Sequence, residues 1–210
     1  MKKWIGLVTL IGWLSTCSAP KGPMERATVV ERIEETAVYL VGGAKRTLPQ
    51  MNPAEARCFF LVRHAEKAKE GKDPALNSAG KARAEKLTQL LESAGIQQLF
   101  SSDYQRTRST VAPLAQKLGL ATTIYPPREQ KTFFENYLRS NTSPRTLVVG
   151  HSNTIPQLLN FLTGTENYQT LAHEAYDDLF VVCLQRNTKD SASVMELKYG
   201  NNSSKQLKQH

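Results

Sequence analysis

The chain has 210 residues, with 27 Lys and Arg against 19 Asp and Glu for a net charge of +8, and 40% of its residues are hydrophobic. That is one domain's worth of sequence with room for an appendage, enough to bury a core without disulfides or structural metals. The balance excludes a disordered chain, a collagen and a polytopic membrane protein, and three cysteines are too few for a disulfide scaffold or a Cys-rich zinc module.

The first segment reads as an address. Lys2 and Lys3 precede an apolar run from Trp4 to Leu14, eleven residues, too short to span a bilayer at about 20 but suited to a signal-peptide core. It ends in Leu14-Ser15-Thr16-Cys17, which resembles a bacterial lipobox. Residues 1–16 are therefore expected to be a lipoprotein-type signal peptide and Cys17 the lipid attachment site. Export to the periplasmic side of the cell envelope, held to the membrane through that lipid, follows as the expectation. Loss of Lys2 and Lys3 would leave a charge of +6. Residues 17–35, rich in Pro, Gly and charge, read as tether and lead-in.

A domain over residues 36–200 follows. Thr36–Gly43 reads as a short strand ending in a turn. Cys58–Val62 is a continuous apolar run, as in a strand buried on both faces. Ser78 can cap a helix to Ala94, with Leu87, Leu90, Leu91 and Ala94 on one stripe and Gly95 as its stop. Ile96–Phe100 reads as a strand. The next helix carries Val111, Leu114, Ala115 and Leu118 and ends at Gly119, with Pro113 placed at a first turn or a kink. Then come a strand at Ala121–Tyr125, a helix over Arg128–Ser140, and a β-branched strand at Thr146–Val149. Pro156 suits the first turn of the following helix. Strands at Leu179–Leu184 and Ala192–Leu197 close the set, and 201–210 is a polar tail. This alternation predicts an α/β fold, a three-layer α/β/α sandwich on a mostly parallel sheet, with ligands bound beyond the carboxyl ends of its strands.

Three strand ends carry the loaded residues. Arg63-His64 follows Val62, Ser101-Ser102-Asp103 leads into a helix bearing Arg106, and Gly150-His151-Ser152-Asn153 precedes another helix. Two arginines and two histidines would thus meet at one edge, beside helix N-termini that favour anions. Arginine's planar fork suits phosphate oxygens, and a neutral imidazole is a competent nucleophile towards phosphorus. No two histidines stand four residues apart and the cysteines are isolated, so neither a metal nor a cofactor is expected. Basic residues stand singly, with Lys67, Lys69, Lys81 and Arg83 interleaved with Glu66, Glu70 and Glu85; a nucleic-acid partner is not expected. His173 reads as structural or solvated, and His210 as idle.

Four blocks, Leu61-Val-Arg63-His64-Ala-Glu66-Lys67, Asp73-Pro-Ala-Leu-Asn-Ser-Ala-Gly80, Ser101-Ser-Asp-Tyr-Gln-Arg106-Thr107 and Val149-Gly-His151-Ser-Asn153, together resemble the histidine phosphatase superfamily, of phosphoglycerate mutase-like fold. The resemblance covers about residues 57–185. It implies that His64 is the phosphorylated nucleophile and that Arg63, Arg106 and His151 form the phosphate pocket, with Asn153 as a further phosphate ligand. The expected activity is hydrolysis of a phosphomonoester or related phosphate, from a small molecule or an envelope component. A phosphate-binding pseudoenzyme and a phosphomutase are the alternatives.

The proton donor to the leaving group stays open. Family members that cleave stable phosphoesters place an acid after the third strand, where this chain has Tyr125-Pro-Pro-Arg-Glu129. Glu129 would fall in the first helical turn near the pocket, Glu135 about 9 Å further along the axis, and Glu66 lies two residues after the nucleophile. Some members lack the donor and act on good leaving groups such as phosphohistidine. Cys58 and Cys183 fall in neighbouring strands of that fold; two buried thiols are the default expectation, and a cross-strand disulfide the alternative.

Overall fold

A computed structural model describes residues 29–48, 56–140, 143–185 and 192–200. The expected signal peptide, Cys17 and the expected polar tail lie outside them. Among the described residues no helix is long and apolar enough to cross a membrane.

Six strands form the central sheet: β4 (Ala56–Arg63), β5 (Gln98–Ser102), β6 (Thr122–Tyr125), β7 (Arg145–Gly150), β8 (Asp178–Gln185) and β9 (Ala192–Lys198). Their order is β6-β5-β7-β4-β8-β9, with β6, β5, β7 and β4 parallel, β8 antiparallel to β4, and β9 antiparallel to β8. Every residue of β4 is buried. Its side chains alternate between two cores, as strand geometry requires: Cys58, Phe60 and Val62 face one, Phe59 and Leu61 the other. The first core is closed by α1 (Ser78–Leu91) and α2 (Gln105–Leu118), the second by α3 (Gln130–Ser140) and α4 (Thr154–Thr163). The three-layer α/β/α sandwich read from the sequence is thus the observed architecture.

Local differences have local causes. Asn77, not Ser78, caps α1, its side-chain oxygen accepting from the Gly80 amide at 2.9 Å. Pro113 sits inside α2 rather than in its first turn. Helix α3 starts at Gln130, so Arg128 and Glu129 precede it. Residues 30–34, assigned to the tether, instead form β1 (Val30–Glu34), which pairs with β2 (Ala37–Leu40) and, through it, with β3 (Lys45–Thr47) in a separate antiparallel sheet. The reason is apolar spacing: Val30, Ile33, Val38 and Leu40 bury against Leu87, Leu90 and Leu91 of α1.

Cys58 and Cys183 form a disulfide, which overturns the default of two free thiols. They stand directly opposite in the β4–β8 ladder, with Cα atoms 4.1 Å apart, and 125 residues separate them in the chain. Closing so long a loop restricts the unfolded chain and stabilises by about 2–5 kcal/mol. The Cys58→Ala/Cys183→Ala variant is expected to lose about that much in denaturant unfolding. An unchanged midpoint, or two free thiols at these positions in the unreduced protein, would contradict the bond.

Candidate active site

The parallel register of β4 with β7 sets Arg63 opposite Gly150, so the next residue of each strand is a histidine. The His64 amide donates to the Gly150 carbonyl at 2.9 Å, extending the ladder one step past the strand. The two imidazole rings stand edge to face with centroids 5.5 Å apart. Gly150 is required there: a Cβ would lie 2.8 Å from the Tyr125 hydroxyl and 2.9 Å from Ile155 and Thr154.

Hydrogen bonds fix both rings. The His64 Nδ1 lies 2.8 Å from the Ala65 carbonyl, which only accepts, so Nδ1 carries the proton and Nε2 keeps its lone pair. The His151 Nε2 lies 2.8 Å from Ser102 Oγ, which donates to Thr107 Oγ1 at 3.1 Å, and that hydroxyl donates to the Ser102 carbonyl at 2.7 Å. The order of donors makes His151 Nε2 the protonated nitrogen and leaves Nδ1 facing the Arg106 guanidinium at 3.5 Å. Burial, reinforced for both rings by the positive charge of Arg63 and Arg106, drives His64 down to about 3 and His151 to about 4. Both imidazoles are therefore neutral at pH 7.

Arg63 is anchored from outside the blocks that carry the resemblance, Arg106 from within them. One terminal nitrogen of Arg63 donates to the carbonyls of Ala172, His173 and Ala175 at 2.9–3.2 Å, while the guanidinium lies 4.1 Å from the Tyr176 ring centroid. Arg106 sits in the first turn of α2 over the Tyr104 ring at 4.3 Å. Asp73 accepts from the Gln105 amide at 2.9 and 3.1 Å and from Arg106 at 3.4 Å, capping the helix from a distant loop. Thr110 joins the two halves, accepting from the Ala65 amide at 2.9 Å and donating to the Arg106 carbonyl at 2.7 Å. The Nε of Arg63 and that of Arg106 are buried with no hydrogen-bond partner among the described residues. Left so, each costs about 1–3 kcal/mol, which an anion accepting from them would recover.

A cavity of about 650 Å³ opens over this cluster, lined by Arg63, His64, Arg106 and His151 below and by Lys67, Tyr104 and Arg128 among others at the rim. Asn153, at the N-cap of α4, also lines it. The proton-donor candidates do not. Glu66 turns away to a bidentate pair with Arg83 at 2.7–3.0 Å; burial raises its carboxyl, but the Arg83 bonds outweigh that and hold it below the usual range, hence ionised. Glu129 is exposed ahead of α3, Glu135 is half-buried within it, and neither reaches the cavity. Among the described lining residues none is acidic. His173 has a solvated side chain, 83% exposed and paired with Glu174, at the cavity's edge. Among the described residues there is no cluster of His, Cys, Asp and Glu able to hold a metal ion.

Sequence reasoning assigned no role to Tyr104, Tyr176, Asp73 or the carbonyls of Ala172, His173 and Ala175. Tyr104 and Asp73 lie inside the quoted blocks, so their neighbourhood to Arg106 was a usable signal; nothing local marks the others.

Comparison with known proteins places this arrangement. The family model of the histidine phosphatase superfamily, branch 1, matches residues 59–128. No curated protein sequence matches the chain. Among solved structures it is similar to a mycobacterial glucosyl-3-phosphoglycerate phosphatase, at 12% identity and a TM-score of 0.59 over 69% of this chain and all of that one. It is also similar to the protein histidine phosphatase SixA complexed with tungstate, at 14% identity and 0.54 over 67% of this chain and 96% of that one. The family model thus covers a third of the chain, and these solved structures share its fold.

The protonation states are open to direct measurement. In a nitrogen-detected NMR titration of the free protein, His64 and His151 are expected to remain neutral down to about pH 5, because a lowered midpoint extends the neutral form to more acid pH. Midpoints near the unperturbed 6.5 would contradict the burial account.

Proposed function

We propose that this protein is an exported phosphatase that hydrolyses a phosphorylated substrate through a covalent phosphohistidine on His64. The observation that carries the reading is the His64 ring itself. Its Nδ1 is committed to the Ala65 carbonyl, leaving the Nε2 lone pair beside two arginines whose Nε donors are buried and unpaired.

In the first step Nε2 attacks phosphorus in line with the leaving oxygen, forming the P–N bond as the P–O bond breaks. Arg63 and Arg106 take the equatorial oxygens and neutralise their charge. Asn153 and the N-terminus of α4 complete the cradle, and His151 joins them by taking a proton at Nδ1, which the negative charge of the bound phosphate favours. Water then attacks the phosphohistidine, inorganic phosphate leaves, and Nε2 recovers its electron pair. With no acid among the described lining residues, the cavity favours leaving groups that depart without being protonated. In this reading the phosphatase replaces the mutase alternative, since export separates the site from cytoplasmic sugar phosphates.

The envelope location rests on the N-terminal segment, with Cys17 as the lipid-bearing residue. The Cys58–Cys183 disulfide supports it, since such bonds persist in oxidising compartments and are rare in the cytosol.

With p-nitrophenyl phosphate as substrate, His64→Ala is expected to lower kcat/KM by on the order of 10³-fold or more. Turnover within tenfold of the parent would remove His64 from the chemistry.

A further inference from the structure

Two cations at the cavity rim are not used by the chemistry above. Lys67, half-buried three residues after the nucleophile, and Arg128, exposed just ahead of α3, both line the cavity. Neither has an ion-pair partner among the described residues. Arg63 and Arg106 already match the two charges of one phosphate, so Lys67 and Arg128 form a surplus. Among its described lining residues there is no carboxylic acid to protonate the departing alkoxide of an alkyl phosphate: Glu66 is held by Arg83, and Glu129 and Glu135 lie outside the lining. Asp73 is bound to the helix end and Arg106, and it too is outside the lining.

The geometry points to a phosphoanhydride as the substrate class: the terminal phosphate of a diphosphate is transferred to His64 while Lys67 and Arg128 bind the departing phosphate. This rests on the phosphohistidine reading and narrows it. A departing phosphate monoester is a weak base, with a second pKa of about 6, so it leaves without a proton. It is also an anion, so cations stabilise it where an acid would be idle. The balance is simple. Nε2 of His64 bonds to the terminal phosphorus, the bridging P–O bond breaks, and its electron pair stays on the departing monophosphate. Water then forms the new P–O bond, the pair returns to Nε2, and the protons of water leave with inorganic phosphate. The cavity, about 650 Å³, has room for the second phosphate beside the first.

The test compares methyl diphosphate, methyl phosphate, phosphoramidate and p-nitrophenyl phosphate on the purified protein, with Lys67→Ala/Arg128→Ala and the charge-keeping Lys67→Arg alongside. The expected result is kcat/KM for methyl diphosphate at least 100-fold above that for methyl phosphate and above that for phosphoramidate. The ratio of methyl diphosphate to p-nitrophenyl phosphate should fall at least tenfold in the double variant and stay within threefold in Lys67→Arg. If p-nitrophenyl phosphate is turned over but phosphoramidate outruns the anhydride, or if the double variant leaves the ratio unchanged, the anhydride assignment is overturned and the phosphohistidine reading stands. No turnover of any of the four by the parent protein would overturn both.

Discussion

One strand register governs the site. Because Arg63 pairs with Gly150 across β4 and β7, the backbones of His64 and His151 leave the sheet side by side, and the His64 amide to Gly150 carbonyl bond carries the pairing past the strand ends. The 5.5 Å between the rings is a consequence of strand spacing rather than of side-chain choice. A shift of one residue would turn Arg63 and the histidines to the wrong faces. That register is held firmly: β4 is buried throughout, flanked by β7 and β8, and bonded to β8 through the Cys58–Cys183 disulfide.

The electrostatics follow from the same burial. Two imidazoles and two guanidiniums share a space in which protonating either ring would add a third positive charge. Desolvation and the arginines therefore keep the rings neutral, which is the state a nucleophile needs. The arginines cannot neutralise in turn, and their terminal groups rest on the carbonyls of Ala172, His173 and Ala175, the rings of Tyr104 and Tyr176, and Asp73. An anion entering the cavity would add the missing negative charge and accept from the unpaired Nε donors. Ground-state discomfort and affinity for anions are thus one property of the site.

The fold and the four central residues were readable because each depends on local pattern. A both-face-buried strand reads as an apolar run, and a polar cluster immediately after it marks the ligand edge. What escaped depends on directions that sequence distance does not encode. Glu66 is two residues from His64, yet the close packing of Gly80 against its backbone leaves its side chain facing Arg83 rather than the cavity. Asp73 reaches α2 from 32 residues away, and the carbonyls holding Arg63 lie about 110 residues on. Residues 30–34 read as tether because their apolar spacing has meaning only against α1. The cysteine pairing was half visible, since the strands were placed as neighbours but the register that sets Cys58 opposite Cys183 was not.

The central claim is that phosphate passes through Nε2 of His64. Rapid quenching of the protein with phosphorus-labelled substrate at alkaline pH, followed by peptide mapping and phosphorus NMR, measures this directly. The account predicts an acid-labile phosphate on His64, bonded to Nε2 because Nδ1 is held by the Ala65 carbonyl. Label on His151, label on the Nδ1 of His64, or active turnover with no labelled protein would contradict it.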